Sequence, residues 1–131
     1  QESEKLIPRP LTLYDEMEDS VDTLIEMNVS GRVLELCREF YDPNIVMISD
    51  GEIFAKTMQE AHDKQKPFIE SVKEFGVTLL SKNIVGNTSI LEFDYELLNA
   101  DSKVSRFRGR HTQTWAGGKI TKEVYETINE A

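Results

Sequence analysis

The sequence predicts an α+β domain: a strongly curved, mostly antiparallel sheet wrapped around about three helices, leaving a cone with an apolar interior. Two observations predict it. Three stretches carry apolar residues at helical spacing, two of them before a short β pair and one after it. Everything from Val77 onward then reads as long strands joined by turns. Helices segregated from a run of antiparallel strands define the α+β class.

Residues 1–10, QESEKLIPRP, are polar and carry two prolines, which predicts an N-terminal arm mobile at its tip. The remainder, 11–131, is expected to form one domain. From Leu11 on, Leu11, Tyr14, Val21, Leu24 and Ile25 alternate with acidic residues as one face of an amphipathic helix. Ser30 is a candidate N-cap for a second helix ending near Tyr41, whose stripe is Val33, Leu36, Cys37 and Phe40. Within that stripe Cys37 reads as a small buried hydrophobe rather than a nucleophile. Asp42-Pro43-Asn44 breaks the helix. Ile45–Ser49 reads as a strand, Asp50-Gly51 as a turn with Asp50 in a turn role, and Glu52–Lys56 as a short return strand.

Thr57-Met58-Gln59-Glu60 has the form of a capping box and should start the third helix. Ala61, Gln65, Phe68, Val72 and Phe75 mark its face, Gly76 its stop, and Pro67 predicts a kink or split within it. His62, beside that stripe, reads as a surface or boundary residue. Strands follow at Val77–Val85 and Ile90–Leu98, the second placing Leu91, Phe93, Tyr95 and Leu97 on one side and Glu92, Asp94 and Glu96 on the other. A hairpin centred near Asp101 would set Glu96, Asp94 and Glu92 opposite Arg106, Arg108 and Arg110, a charge ladder on the outer face.

Composition narrows the function classes. Hydrophobic residues at 39% and charged residues at 30% are ordinary for a globular chain, and no apolar run approaches a membrane span. A formal charge of −9 argues against nucleic acid and anionic lipid as partners. With Cys37 as the single cysteine, no intrachain disulfide forms, which fits a reducing, cytoplasmic setting. No His, Asp and Glu grouping has metal-site spacing and no glycine motif cradles phosphate, so no cofactor is expected.

The chemically able residues concentrate in Phe107–Tyr125. Their placement turns on Ala116-Gly117-Gly118. A three-residue loop with Gly118 left-handed pairs Trp115 with Lys119 and sets His111 opposite Glu123, with His111, Gln113, Trp115, Thr121, Glu123 and Tyr125 on the inner face. It also sends Ile120, Val124 and Ile128 outward. A two-residue Gly-Gly turn pairs Trp115 with Ile120 and moves Glu123 to the other face. The three-residue loop is the expectation. The inner set then reads either as a polar network that positions the sheet or as a site, with His111 or Glu123 as general base and Gln113 and Tyr125 as hydrogen-bond donors. Phe93, Tyr95, Phe107 and Trp115 would wall the site, and Tyr14 and Tyr41 would approach from the helices.

The element order, with Gly109-Arg110, Gln113, Trp115, Gly118-Lys119-Ile120, Glu123 and Asp50-Gly51-Glu52, resembles the SnoaL-like branch of the nuclear transport factor 2-like superfamily over about Leu11–Thr127. The resemblance implies a cystatin-like cone, a pocket between sheet and helices for a small, partly apolar molecule, and a homodimer through the convex sheet face. That superfamily also includes cyclases, isomerases and dehydratases that act next to a carbonyl, as well as non-catalytic domains. Steroid-isomerase-like members carry a carboxylate base where Ile48 falls here, and a second acid near Arg110 or His111. Their acid–base pair is therefore not reproduced in this chain.

Overall fold

The computed structural model describes residues 13–128 of the 131. Helices α1 (Leu13–Val29), α2 (Val33–Phe40) and α3 (Met58–Ser71) cover one six-stranded sheet. Its strands are β1 (Tyr41–Ser49), β2 (Glu52–Ala55), β3 (Val72–Val85), β4 (Thr88–Asn99), β5 (Val104–Ala116) and β6 (Lys119–Ile128). Their order is β2-β1-β6-β5-β4-β3, antiparallel throughout except where β1 runs parallel to β6. The sheet is open, and the α+β cone is the architecture observed. The expected arm 1–10 and the helix start at Leu11 lie outside the described residues.

The core forms where helical stripes meet the alternating face of β4. Val21 and Leu24 of α1, Leu36, Cys37 and Phe40 of α2, and Leu91, Phe93 and Leu97 of β4 are all buried. Each large side chain removed from water in this way contributes roughly 1.5–3 kcal/mol. The β4–β5 hairpin has the expected register, with Glu96, Asp94 and Glu92 opposite Arg106, Arg108 and Arg110. The three ion pairs measure 2.7, 3.1 and 2.9 Å.

Four local expectations are corrected. Ser30 does not cap α2: Gly31 is left-handed, Arg32 N–H donates to Met27 O (2.8 Å) and Gly31 N–H to Asn28 O (3.1 Å), so Ser30 ends α1. The chain passes from Phe40 directly into β1, four residues before the expected Ile45, because Tyr41 pairs with Ile120 of β6. Helix α3 runs unsplit through Pro67 but stops at Ser71, because Val72–Phe75 pair with β4 instead of continuing the helical stripe. His62 is buried, not at the surface, with Nδ1 3.1 Å from Asp63. The Thr57 cap is present: its Oγ1 accepts from Glu60 N–H at 3.0 Å, while Glu60 accepts from Lys56 N–H at 2.8 Å.

The fifth correction decides the site. Gly117 and Gly118 both have positive φ (59° and 80°), and Ala116 pairs with Lys119 and Trp115 with Ile120. This is the two-residue turn, whose twist suits a hairpin and whose backbone only glycine adopts without cost. Yet Glu123 stays on the inner face. One step beyond the turn, Thr114 pairs with Lys122, so Thr121 is an extra residue in β6 and the strand bulges. That bulge shifts the register by one and restores the parity the turn would have lost. Gln113 now faces Glu123, and His111 faces Tyr125. Ile120 consequently turns inward and is fully buried, contrary to the expected outward position.

Candidate functional site

Between the helices and the inner face of the sheet lies a cavity of about 380 Å³. Its walls are mostly apolar, supplied by Leu24, Leu36, Met47, Phe54, Phe68, Phe75, Val77 and Phe93 among others. Its polar side is a continuous hydrogen-bonded chain carried by β4, β5 and β6.

Glu123 is the centre of that chain. It is 2% exposed, and three side chains bond its carboxylate. Tyr41 Oη donates to Oε1 at 2.8 Å, Gln113 Nε2 donates to Oε2 at 2.6 Å, and His111 Nδ1 lies 3.2 Å from Oε2. Gln113 is held from behind: its Oε1 accepts from Ser89 Oγ at 2.8 Å, and Ser89 Oγ accepts from Trp115 Nε1–H at 2.8 Å. On the other side, His111 Nε2 lies 2.8 Å from Tyr95 Oη, which accepts from Asn28 Nδ2 at 3.1 Å.

The electrostatics follow from these partners. Burial alone would push the Glu123 carboxyl up; His111, Gln113 and Tyr41 outweigh it and hold the group below its ordinary value. The carboxylate is therefore ionised and accepts only, so His111 carries its proton on Nδ1 and presents Nε2 to Tyr95. Burial raises the Tyr41 hydroxyl well above its usual range, and the Glu123 charge adds to it, so Tyr41 remains a donor. Burial likewise raises Tyr95, against the pull of Asn28. Cys37 is pushed up to about 12 by burial and by Glu123, which makes it an inert thiol.

Tyr125 completes the wall. A β-carbon at Gly109 would fall on its ring, so only glycine lets Tyr125 lie across β5. Its ring stands edge-on to His111 with centroids 5.0 Å apart. Left-handed Asp50, in the β1–β2 turn, accepts from Thr127 N–H (2.7 Å) and Thr127 Oγ1–H (2.8 Å) and donates its own N–H to Tyr125 O (2.9 Å). Asp50 is thus a turn residue that tethers the end of β6.

Of the residues singled out by sequence, Tyr41, Phe93, Tyr95, Phe107, His111, Gln113, Glu123 and Tyr125 border the cavity. Two do not. Tyr14 is half exposed on the first turns of α1, too far along the helix from Asn28 to reach the polar side. Trp115 is buried behind the cavity, edge-on to Phe40, where its indole N–H is spent on Ser89. Thr121 is likewise absent from the cavity: as the bulged residue, it bonds the Thr114 carbonyl at 3.3 Å instead.

Asn28, Gln65 and Lys64 border the cavity without having been singled out as site residues. Asn28 continues the Val21, Leu24 stripe at helical spacing, and a polar residue on an apolar stripe is a usable signal. Gln65 carries the same signal on α3, where its Nε2 lies 3.1 Å from Ala61 O and 3.5 Å from Cys37 Sγ. Lys64 follows no stripe. Its ammonium bonds Phe54 O at 2.7 Å.

An open mixed sheet curved over three helices, with a cavity between them, is the nuclear transport factor 2-like cone. No family model and no curated protein matches the sequence. Solved structures do match the fold. A candidate SnoaL-like polyketide cyclase from Jannaschia sp. CCS1 is 11% identical, with a TM-score of 0.73 over 92% of this chain and 91% of that one. A second candidate SnoaL-like polyketide cyclase, from Mesorhizobium loti, is 16% identical with a TM-score of 0.68 over 88% and 98%. A nuclear transport factor 2-like protein of unknown function from Burkholderia pseudomallei is 10% identical with a TM-score of 0.68 over 86% and 91%. The fold of this chain is SnoaL-like. Among the described residues no helix is long and apolar enough to cross a membrane.

Proposed function

We propose that this domain binds a small, partly apolar molecule in the cavity between sheet and helices. The observation that carries the reading is the cavity itself: about 380 Å³ of space with aromatic and aliphatic walls and one polar side. That size and lining suit a small-molecule site, whereas an interaction domain with a filled core would leave no such space. Native mass spectrometry of the protein purified from cells tests it. A retained small molecule, lost on denaturation, is expected; a bare chain that also takes up no apolar probe would contradict the reading.

The second reading is an enzyme, a cyclase, isomerase or dehydratase acting next to a carbonyl. The His111–Glu123 contact at 3.2 Å favours it. Glu123 has all its near partners within the protein and serves as the orienting acid; His111 is the proton-accepting member. Two of the fold's neighbours are described as candidate polyketide cyclases, which agrees with that class without fixing it.

The rest of the assignment belongs to the same proposal. The domain spans 11–131, works as a homodimer through the convex sheet face, and resides in the cytoplasm. Val46 and Val124 lie on that outer face beside the charge ladder, an apolar strip that a second copy would cover. Light scattering at micromolar concentration distinguishes the dimer from a monomer.

A further inference from the structure

One buried side chain of the cavity wall keeps bonding capacity on both halves of its amide. Asn28 continues the inner stripe of α1, one turn beyond Leu24, and is 9% exposed. Its Nδ2 gives one hydrogen to Tyr95 Oη at 3.1 Å. Among the described residues nothing donates to its Oδ1, and nothing accepts its second Nδ2 hydrogen. Yet that oxygen is not sealed in. Among the described residues the one enclosed side-chain atom without a partner is Asn99 Oδ1, at the end of β4. What little of Asn28 is accessible therefore opens on the cavity that it borders. The other two amides of the wall differ. Gln113 is bonded at both ends, and Gln65 holds Nε2 against Ala61 O (3.1 Å) and Cys37 Sγ (3.5 Å), which leaves it an acceptor only.

We propose that Asn28 is the residue that reads the ligand, and that the ligand is a small, largely apolar molecule carrying a neutral lactam or primary carboxamide. It rests on the reading of the cavity as a binding site and deepens it by naming the group recognised there. A lactam or carboxamide presents an N–H and a C=O side by side in one plane. The ligand N–H donates to Asn28 Oδ1, and its carbonyl accepts the free Nδ2 hydrogen. This is the two-point pairing that one amide makes with another. Leu24, Leu36, Val77 and Phe93 supply apolar wall for the rest of the molecule.

Other polar groups fit this wall less well. A carboxylate has no hydrogen to give Oδ1, and it would share the polar side with Glu123, itself ionised and 2% exposed. An ammonium donates but accepts nothing, so the second Nδ2 hydrogen stays unmet. A ketone or ester only accepts. It would cover Oδ1 without offering a donor, and an unmet buried acceptor costs more than one neutral hydrogen bond returns.

The test uses the full chain with three bicyclic probes of closely similar shape. Dihydrocarbostyril carries the lactam, dihydrocoumarin replaces its N–H by a ring oxygen, and tetralin has neither polar group. By calorimetry the lactam should bind about tenfold more tightly than the lactone, or better. Asn28→Leu should abolish that preference while tetralin still binds. In the unmodified chain, proton NMR should show the Asn28 Nδ2 hydrogens moving downfield with the lactam and not with tetralin. If tetralin binds and the lactam has no advantage over the lactone, this proposal falls while the cavity reading stands. A preference that survives Asn28→Leu also overturns it. So do Nδ2 hydrogens unmoved by bound lactam, a result that decides the matter even if the variant fails to fold. If no probe binds, both readings fall.

Discussion

The two faces of the β4–β5–β6 ribbon put charge to opposite uses. Outside, Arg106, Arg108 and Arg110 each meet a carboxylate of β4, and both members of every pair remain in contact with water. Inside, a single carboxylate, Glu123, is removed from water and surrounded by three donors. The outer pairs are screened and replaceable, each worth about 0–1 kcal/mol. The inner group has no water to fall back on, so each donor it loses is felt in full. Abundant charge on one face therefore does little, whereas one charge on the other orders a chain of seven side chains.

The largest effect should come from Glu123→Ala, which leaves Tyr41, Gln113 and His111 without their common acceptor. A loss of about 3–5 kcal/mol in urea unfolding is expected; a loss no larger than that of an outer arginine would erase the contrast. Acid denaturation sharpens it. Because the folded carboxyl titrates below its ordinary 4.5, its stabilisation is complete above that value and is lost as pH falls through the lower folded one. Glu123→Gln should accordingly flatten the acid limb of the stability curve.

Next comes Gly109→Ala, which forces the Tyr125 ring off β5 and should cost about 1–3 kcal/mol. Adding Tyr125→Ala should recover part of that cost, as expected when two substitutions share one contact. Gly118→Ala introduces a β-carbon at φ 80° and should lose about 1–2 kcal/mol without altering the cavity. Arg106→Ala should be smallest, below about 1 kcal/mol and smaller still in high salt, because its 2.7 Å pair with Glu96 is the most exposed of the ladder.

The ladder was legible because its register depends only on alternation and on one turn near Asp101, both local in sequence. The fold was legible for the same reason, through helical stripes and the period-two pattern of β4. The site was only partly so. Its members on β4 and β5 could be placed by parity, but Glu123 lies beyond both a glycine turn and the Thr121 bulge. Reading the turn as three residues, and treating a two-residue turn as sending Glu123 outward, missed that a bulge offsets a tight turn. Nothing about Thr121 as a residue marks it as the extra one; the pairing of Gln113 with Glu123 and of Ile120 with the core selects it. The same misplaced register explains why Ile120 was expected outside. Val72–Phe75 were lost differently: their helical spacing is real, but pairing with β4 wins the segment for the sheet. Asn28 was legible and passed over.

The claim that a buried, ionised Glu123 orients the site is tested most directly by the ring nitrogens of His111. Nitrogen-15 NMR of the ligand-free chain, at a pH where the imidazole is neutral, should show a single tautomer with the proton on Nδ1. Glu123→Gln should abolish that preference. A proton found on Nε2 in the unmodified chain, or a ring averaging between both tautomers, would contradict the account.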